Sequence, residues 1–308
     1  MKGVLPLLTA ISIVSGCSNQ PSVTGANGEK YLIDNKTYRS PNFSSRPRSL
    51  VIHYTVENFA TAINDRFLTS GVVAVHYLIP DPTEASYKEQ GFTSLRIFNL
   101  VDEDQGAWHA GASAWENRVK LNDSSIAVDL VNLASENNGT FTFPPFNDEQ
   151  IEATIALCKD ILKRYPDIQP TQVVGHGDIS LDRKSDPGAA FPWKKLYDNG
   201  VGAWFDESTK EKYVSLFREN GIPSNDDIVK KLSAYGYGIE ILPGGGYAFK
   251  QFITTGSGEN IKSDPAALSK TIRVFQLHFR QQKYDGVIDI ETAAILYALV
   301  EKYFPGKL

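Results

Sequence analysis

Cysteine is nearly missing from these 308 residues. Cys17 and Cys158 are the only two, so no disulfide framework supports the fold. Positive charge is in deficit as well: 31 lysines and arginines face 36 aspartates and glutamates, a formal charge of −5. That balance argues against a nucleic-acid partner, because phosphate backbones are met by a basic face. No internal repeat is evident, and the apolar run at residues 4–14 is too short to span a bilayer. What remains is ordinary for a globular chain, with 42% hydrophobic and 22% charged residues. The length suits two domains, each with its own core.

Residues 1–16 have the layout of a signal peptide, with Lys2 as a short basic region ahead of the apolar stretch. They run into Val14-Ser15-Gly16-Cys17, which resembles the lipobox of bacterial lipoproteins. The resemblance implies cleavage before Cys17, acylation of that residue (palmitate among the chains) and a lipid-anchored protein. Ser18, in place of an aspartate, resembles lipoproteins sorted to the outer membrane and facing the periplasm. The plainer alternative is a secretory signal with a chance cysteine. Residues 17–45 are polar and rich in Gly, Ser, Pro and Asn, which suits a tether and an extended lead-in.

Strand-like and helical segments then alternate across residues 46–205. Residues 50–55, 125–132 and 172–176 are β-rich, while 59–68 and 148–165 read as helices, so an α/β domain is expected. In the second helix Ile151, Ile155, Cys158 and Leu162 form one apolar stripe, and Asn147 with Gln150 gives a capping-box-like start. Cys158 therefore reads as a small core hydrophobe, not a reactive thiol. Residues 206–220 form a connecting helix ending at Gly221-Ile222-Pro223. Beyond it, residues 221–308 carry three helical stretches, over 228–235, around Leu268, Ile272, Phe275 and Phe279, and over 292–303. These fit a small three-helix domain.

The histidines can be weighed one by one. His53 sits in an alternating strand, and His176 ends the short strand Val173-Val174-Gly175. Ten residues on, Asp186 precedes Pro187, which favours extended backbone and so fixes where the carboxylate points. Two imidazoles and a carboxylate with one open position are the donor set of a catalytic zinc. The three lie far apart in sequence, and spacing alone leaves a buried structural role open for either histidine. His76, between Val75 and Tyr77, reads as a hydrogen-bonding core residue. His109, beside Trp108, reads either as a lining of the substrate groove or as structural. His278 reads as a half-buried surface residue.

Several motifs in one order carry a resemblance over roughly residues 40–205. They are Val51-Ile52-His53-Tyr54-Thr55, Val75-His76-Tyr77-Leu78-Ile79, Trp108-His109-Ala110-Gly111, Leu121-Asn122-Asp123-Ser124-Ser125-Ile126, Gly175-His176-Gly177-Asp178, and Arg183-Lys184-Ser185-Asp186-Pro187-Gly188. Together they resemble the type 2 zinc N-acetylmuramoyl-L-alanine amidases, relatives of the peptidoglycan recognition proteins. The lipobox and the C-terminal region point to the outer-membrane lipoprotein branch. The resemblance implies a mixed central β-sheet with flanking helices, Zn2+ on His53, His176 and Asp186, and Lys184 steadying the oxyanion. It also implies peptidoglycan or muropeptides as substrate, bound near Trp108 and His109, in cell-wall turnover or recycling. A departure falls at the general base. The family's glutamate is replaced by Asp129 in Ile126-Ala127-Val128-Asp129-Leu130, a carboxylate about 1.5 Å shorter in reach. The segment Phe275-Gln276-Leu277-His278-Phe279 with Asp285-Gly286 resembles a peptidoglycan-binding domain. The rival reading is a non-catalytic muropeptide sensor or a wall-tethering protein.

Overall fold

The computed structural model describes residues 21–26, 28–137, 140–253 and 263–307. The leader and Cys17 therefore lie outside the described residues. Two units divide at Ser44 and Ser45. In the first, Ser22–Thr24 pairs antiparallel with Lys30–Leu32. Among the described residues no helix is long and apolar enough to cross a membrane.

The second unit is built on five strands: β1 (Ser49–Tyr54), β2 (Tyr77–Ile79), β3 (Phe98–Asn99), β4 (Ser125–Leu130) and β5 (Val173–Gly175). Their order across the sheet is β5-β1-β4-β2-β3. β5, β1, β4 and β2 run parallel, and β3 closes the edge antiparallel. This is the mixed sheet with flanking helices expected from the sequence. Every residue of β4 is buried, which explains its run Ile126-Ala127-Val128, because a central parallel strand is covered on both faces.

Helix α1 (Asp148–Arg164) lays Ile151, Ile155, Cys158 and Ile161 against the sheet. Burial of Cys158 pushes its thiol up to about 12. Asn147 caps the helix by accepting from the Glu149 and Gln150 amides. The other half of a capping box is not used. Gln150 turns inward and donates to the carbonyls of Ile79 and Val131, two acceptors at the end of the sheet, the first of which also takes the Val131 amide.

Residues 59–67 depart from a plain helix. One α-turn, Phe59–Thr61, passes into a π-helical turn, Ala62–Phe67, whose wider girth puts Asp65 and Arg66 on the wall of the main cleft. After β5 a single turn, α2 (His176–Ile179), begins at the sheet's carboxyl edge.

The C-terminal helices are α3 (Glu207–Asn220), α4 (Asn225–Tyr235), α5 (Ala267–Phe279) and α6 (Ile290–Tyr303). The last three fall on the three helical stretches read from the sequence. α3, read there as a connector, packs along α6 through Tyr213 and Phe217 against Tyr297. A hairpin, Ile239–Ile241 with Tyr247–Phe249, has no counterpart in the sequence reading, because three-residue strands are too short to show a period of two. The buried cluster runs without a break from Leu50 and Val128 on the sheet to Phe275 and Leu299 in the C-terminal helices.

Candidate active site

The parallel strands set the site. β1 and β4 pair in register, with His53 opposite Asp129, so both side chains leave the same face near the carboxyl ends of their strands. β5 brings His176 to that edge, since Gly175, the residue before it, lies opposite Ile52. Asp186 is folded back by a bond from the Gly177 amide to its carbonyl (2.9 Å). Glycine is required on both sides of His176. A Cβ at Gly175 would lie 2.7 Å from Pro187, and one at Gly177 would lie 2.7 Å from Val274 of α5.

The result is a tight triangle. Asp186 Oδ2 is 3.1 Å from His53 Nδ1 and 3.1 Å from His176 Nδ1. One ligand atom from each residue lies within 4.8 Å of the others, and all three residues are buried. Burial, joined by the neighbouring His176, lowers His53 to about 4. Burial alone would raise Asp186, yet His176 and His53 hold it well below the usual carboxylate range. A donor set of two imidazoles and one carboxylate suits a zinc ion. The outward nitrogens are already occupied: His176 Nε2 reaches the Ala110 carbonyl at 3.3 Å, which leaves its Nδ1 lone pair facing inward.

A cavity of about 700 Å³ opens over this triangle. Asp129 and Lys184 both line it, Asp129 buried and Lys184 exposed. Asp129 Oδ1 finds no protein partner among the described residues. Burial, with the charge of Asp186 added, pushes the Asp129 carboxyl well above its ordinary value. Trp108 stands on the rim, 62% exposed. His109 touches the cavity but is buried, 3.0 Å from His53 Nε2. Val56, also on the wall, has φ of +58°, a strained conformation for a β-branched residue.

Sequence reasoning passes over two cleft cations. Arg66 pairs with Glu57 at 3.0 Å and comes from the π-turn. Arg183 is held by the Ala112 carbonyl at 3.0 Å and stands next to Lys184 in a motif already singled out. His278 is a correction. It is a buried residue, not a half-exposed one, stacked on Trp193 at 3.8 Å with Nδ1 2.7 Å from Asp178. An isolated amphipathic helix shows which residues can be buried, not what will bury them. His76 sits in the core, accepting from the Ala127 amide at Nδ1 and reaching the Gln105 carbonyl through Nε2.

Opening an amide with water calls for a base to take the water's proton and positive charge to meet the oxyanion. A cleft with those groups at the carboxyl ends of parallel strands is that of a hydrolase. The N-acetylmuramoyl-L-alanine amidase family model matches residues 43–189. The amidase AmiD of Escherichia coli is 35% identical over 96% of this chain and 97% of its own length. The crystal structure of AmpDh3 from Pseudomonas aeruginosa, in complex with an anhydromuramic pentapeptide, is 46% identical. It covers 88% of this chain and 98% of its own, with a TM-score of 0.78. E. coli AmiD bound to anhydro-N-acetylmuramic acid-L-Ala-D-gamma-Glu-L-Lys is 34% identical over 91% and 97%, with a TM-score of 0.71. The chain belongs to the N-acetylmuramoyl-L-alanine amidase family and is an enzyme of that class.

Proposed function

We propose that the enzyme hydrolyses the amide between the lactyl group of N-acetylmuramic acid and L-alanine of the stem peptide, with zinc on His53, His176 and Asp186. The convergence of two Nδ1 atoms on Asp186 Oδ2, with Asp129 in register beside them, carries this reading. The muropeptides bound to AmpDh3 and AmiD support the substrate class. Zinc in this donor set supplies Lewis acidity, which acidifies water and polarises a carbonyl. Asp129 takes the proton of the attacking water and delivers it to the leaving amine. A carboxyl with a raised pKa is suited to both halves of that transfer. Lys184, exposed at the mouth of the cavity, places its charge against the developing oxyanion. Trp108 offers an aromatic face on the rim to the sugar or the peptide.

The same proposal sets the enzyme at the wall. Cys17 carries the lipid anchor, the outer membrane is the host surface, and residues 221–308 form a peptidoglycan-binding module. A second weak site joined to the first raises the effective substrate concentration.

The test uses purified protein on defined muropeptides, scored for free stem peptide. Zinc is expected to support release, a chelator to stop it and fresh zinc to restore it. His176→Ala should lose both bound metal and turnover. Release that persists without metal would sink the zinc assignment, and metal binding without release would favour a non-catalytic sensor. Lys184→Met should lower kcat by on the order of 10²–10³-fold with zinc affinity unchanged. Unchanged kcat would remove Lys184 from the oxyanion site.

A further inference from the structure

His53 presents Nδ1 to Asp186, so its other nitrogen must be accounted for. Nε2 lies 3.0 Å from Nδ1 of His109, and His109 Nε2 lies 2.9 Å from the Ser125 hydroxyl. That hydroxyl donates to the Leu121 carbonyl at 2.6 Å. A hydroxyl has one proton, and here a backbone oxygen takes it, so Ser125 can only accept from His109. His109 therefore carries its proton on Nε2 and a lone pair on Nδ1. That lone pair accepts from His53 Nε2–H, which leaves the His53 lone pair on Nδ1, facing Asp186 and His176.

We infer that His109 is a positioning residue: the chain Leu121 carbonyl, Ser125 hydroxyl, His109 ring fixes the tautomer and orientation of His53 for metal binding. The neighbouring residue serves the other imidazole, since the Ala110 carbonyl accepts from His176 Nε2–H. Both outer acceptors are held by one side chain. Asn122 Oδ1 accepts from the amides of His109 (3.1 Å) and Ala110 (2.8 Å). His109, Ala110, Leu121, Asn122 and Ser125 thus form a support behind the metal ligands, while the neighbouring Trp108 stays on the rim of the cleft.

The inference rests on the metal reading, and the experiment separates the two. Zinc affinity is measured by competition with a chromophoric chelator for wild type, His109→Leu, His109→Asn and Ser125→Ala. Leucine removes the acceptor, and affinity should fall about 10–100-fold. Asparagine restores an oxygen near the Nδ1 position and should stay within about threefold of wild type, with Ser125→Ala between them. Independently, long-range proton–nitrogen spectra of the metal-free imidazoles should show His53 protonated at Nε2 in wild type and His109→Asn, and a tautomer mixture in His109→Leu. Equal affinities for leucine and wild type, equal losses for leucine and asparagine, or a His53 protonated at Nδ1 in wild type would each overturn it. If wild type itself bound no zinc, the metal reading would fail, and the tautomer spectra would still decide this one.

Discussion

Asp129→Asn is expected to abolish muropeptide hydrolysis, to leave zinc affinity near the wild-type value, and to stabilise the metal-free protein at neutral pH. The first part follows from chemistry, because an amide side chain cannot accept the proton of the attacking water. The second follows from the donor set, which is complete without Asp129. The third follows from burial. The Asp129 carboxylate is buried, one oxygen lacks a protein partner among the described residues, and Asp186 adds like charge nearby. A carboxyl whose folded pKa is raised keeps its proton where the unfolded chain has released it. Stability therefore falls as pH rises from about 4, by roughly 1.4 kcal/mol per unit, until the folded pKa is reached. Asparagine removes that decline. His53, His76 and His109 act with the opposite sign: their lowered pKa values cost stability below about pH 6.5. They are present in both proteins and cancel in the difference. Denaturant melts of the two metal-free proteins at several pH values check this. The gap in stability should widen upward from about pH 4. A gap that did not change with pH would contradict the burial argument, and retained turnover would remove Asp129 as the base.

A chain cut after Phe205 is expected neither to fold stably nor to hold zinc. The C-terminal segment is built into the support of His176. Asp178, two residues on, accepts from the Gly175 amide (2.7 Å), from the Tyr237 hydroxyl (2.8 Å), and pairs with His278 Nδ1 (2.7 Å). Arg273 of α5 donates to Ser185, the residue before the proposed ligand Asp186, at 3.0 Å. Trp115 and Trp193, both buried, pack on Tyr237 and His278. Removing these partners would expose two indoles and leave a buried carboxylate, two residues from the proposed ligand His176, without its tyrosine and histidine partners. A single substitution tests the polar part alone. Asp178→Ala leaves the tyrosine, the histidine and an amide without an acceptor, and should cost on the order of 3–5 kcal/mol. Calorimetry and zinc titration of both proteins are the measurements. A truncated chain that melted cooperatively and bound zinc like the full chain would show that the C-terminal helices only ride on the catalytic unit.

Much of the catalytic unit is legible in the sequence. Strands β1, β4 and β5 follow from short β-branched runs, and α1 from its apolar stripe and the Asn147 cap, because these signals are local. The proposed donors His53, His176 and Asp186 come from residue type and resemblance, and so do the proposed roles of Asp129 and Lys184. Other features are out of its reach. The π-turn at Ala62–Phe67 and the hairpin beside α4 leave no periodic trace. The scarcity of cysteine and the acidic balance exclude classes of protein but place nothing.

What the sequence by itself determined is the inventory: which imidazoles, which carboxylates and which strands carry them. Only the tertiary structure decided which nitrogen of each histidine faces inward, that His109 stands behind His53, and that His278 is buried against Asp178. The physical reason is that side-chain identity and backbone period are encoded residue by residue. A tautomer or a buried partner, by contrast, is fixed by hydrogen bonds between segments as far apart as Asp178 and His278, which meet only when the whole core closes.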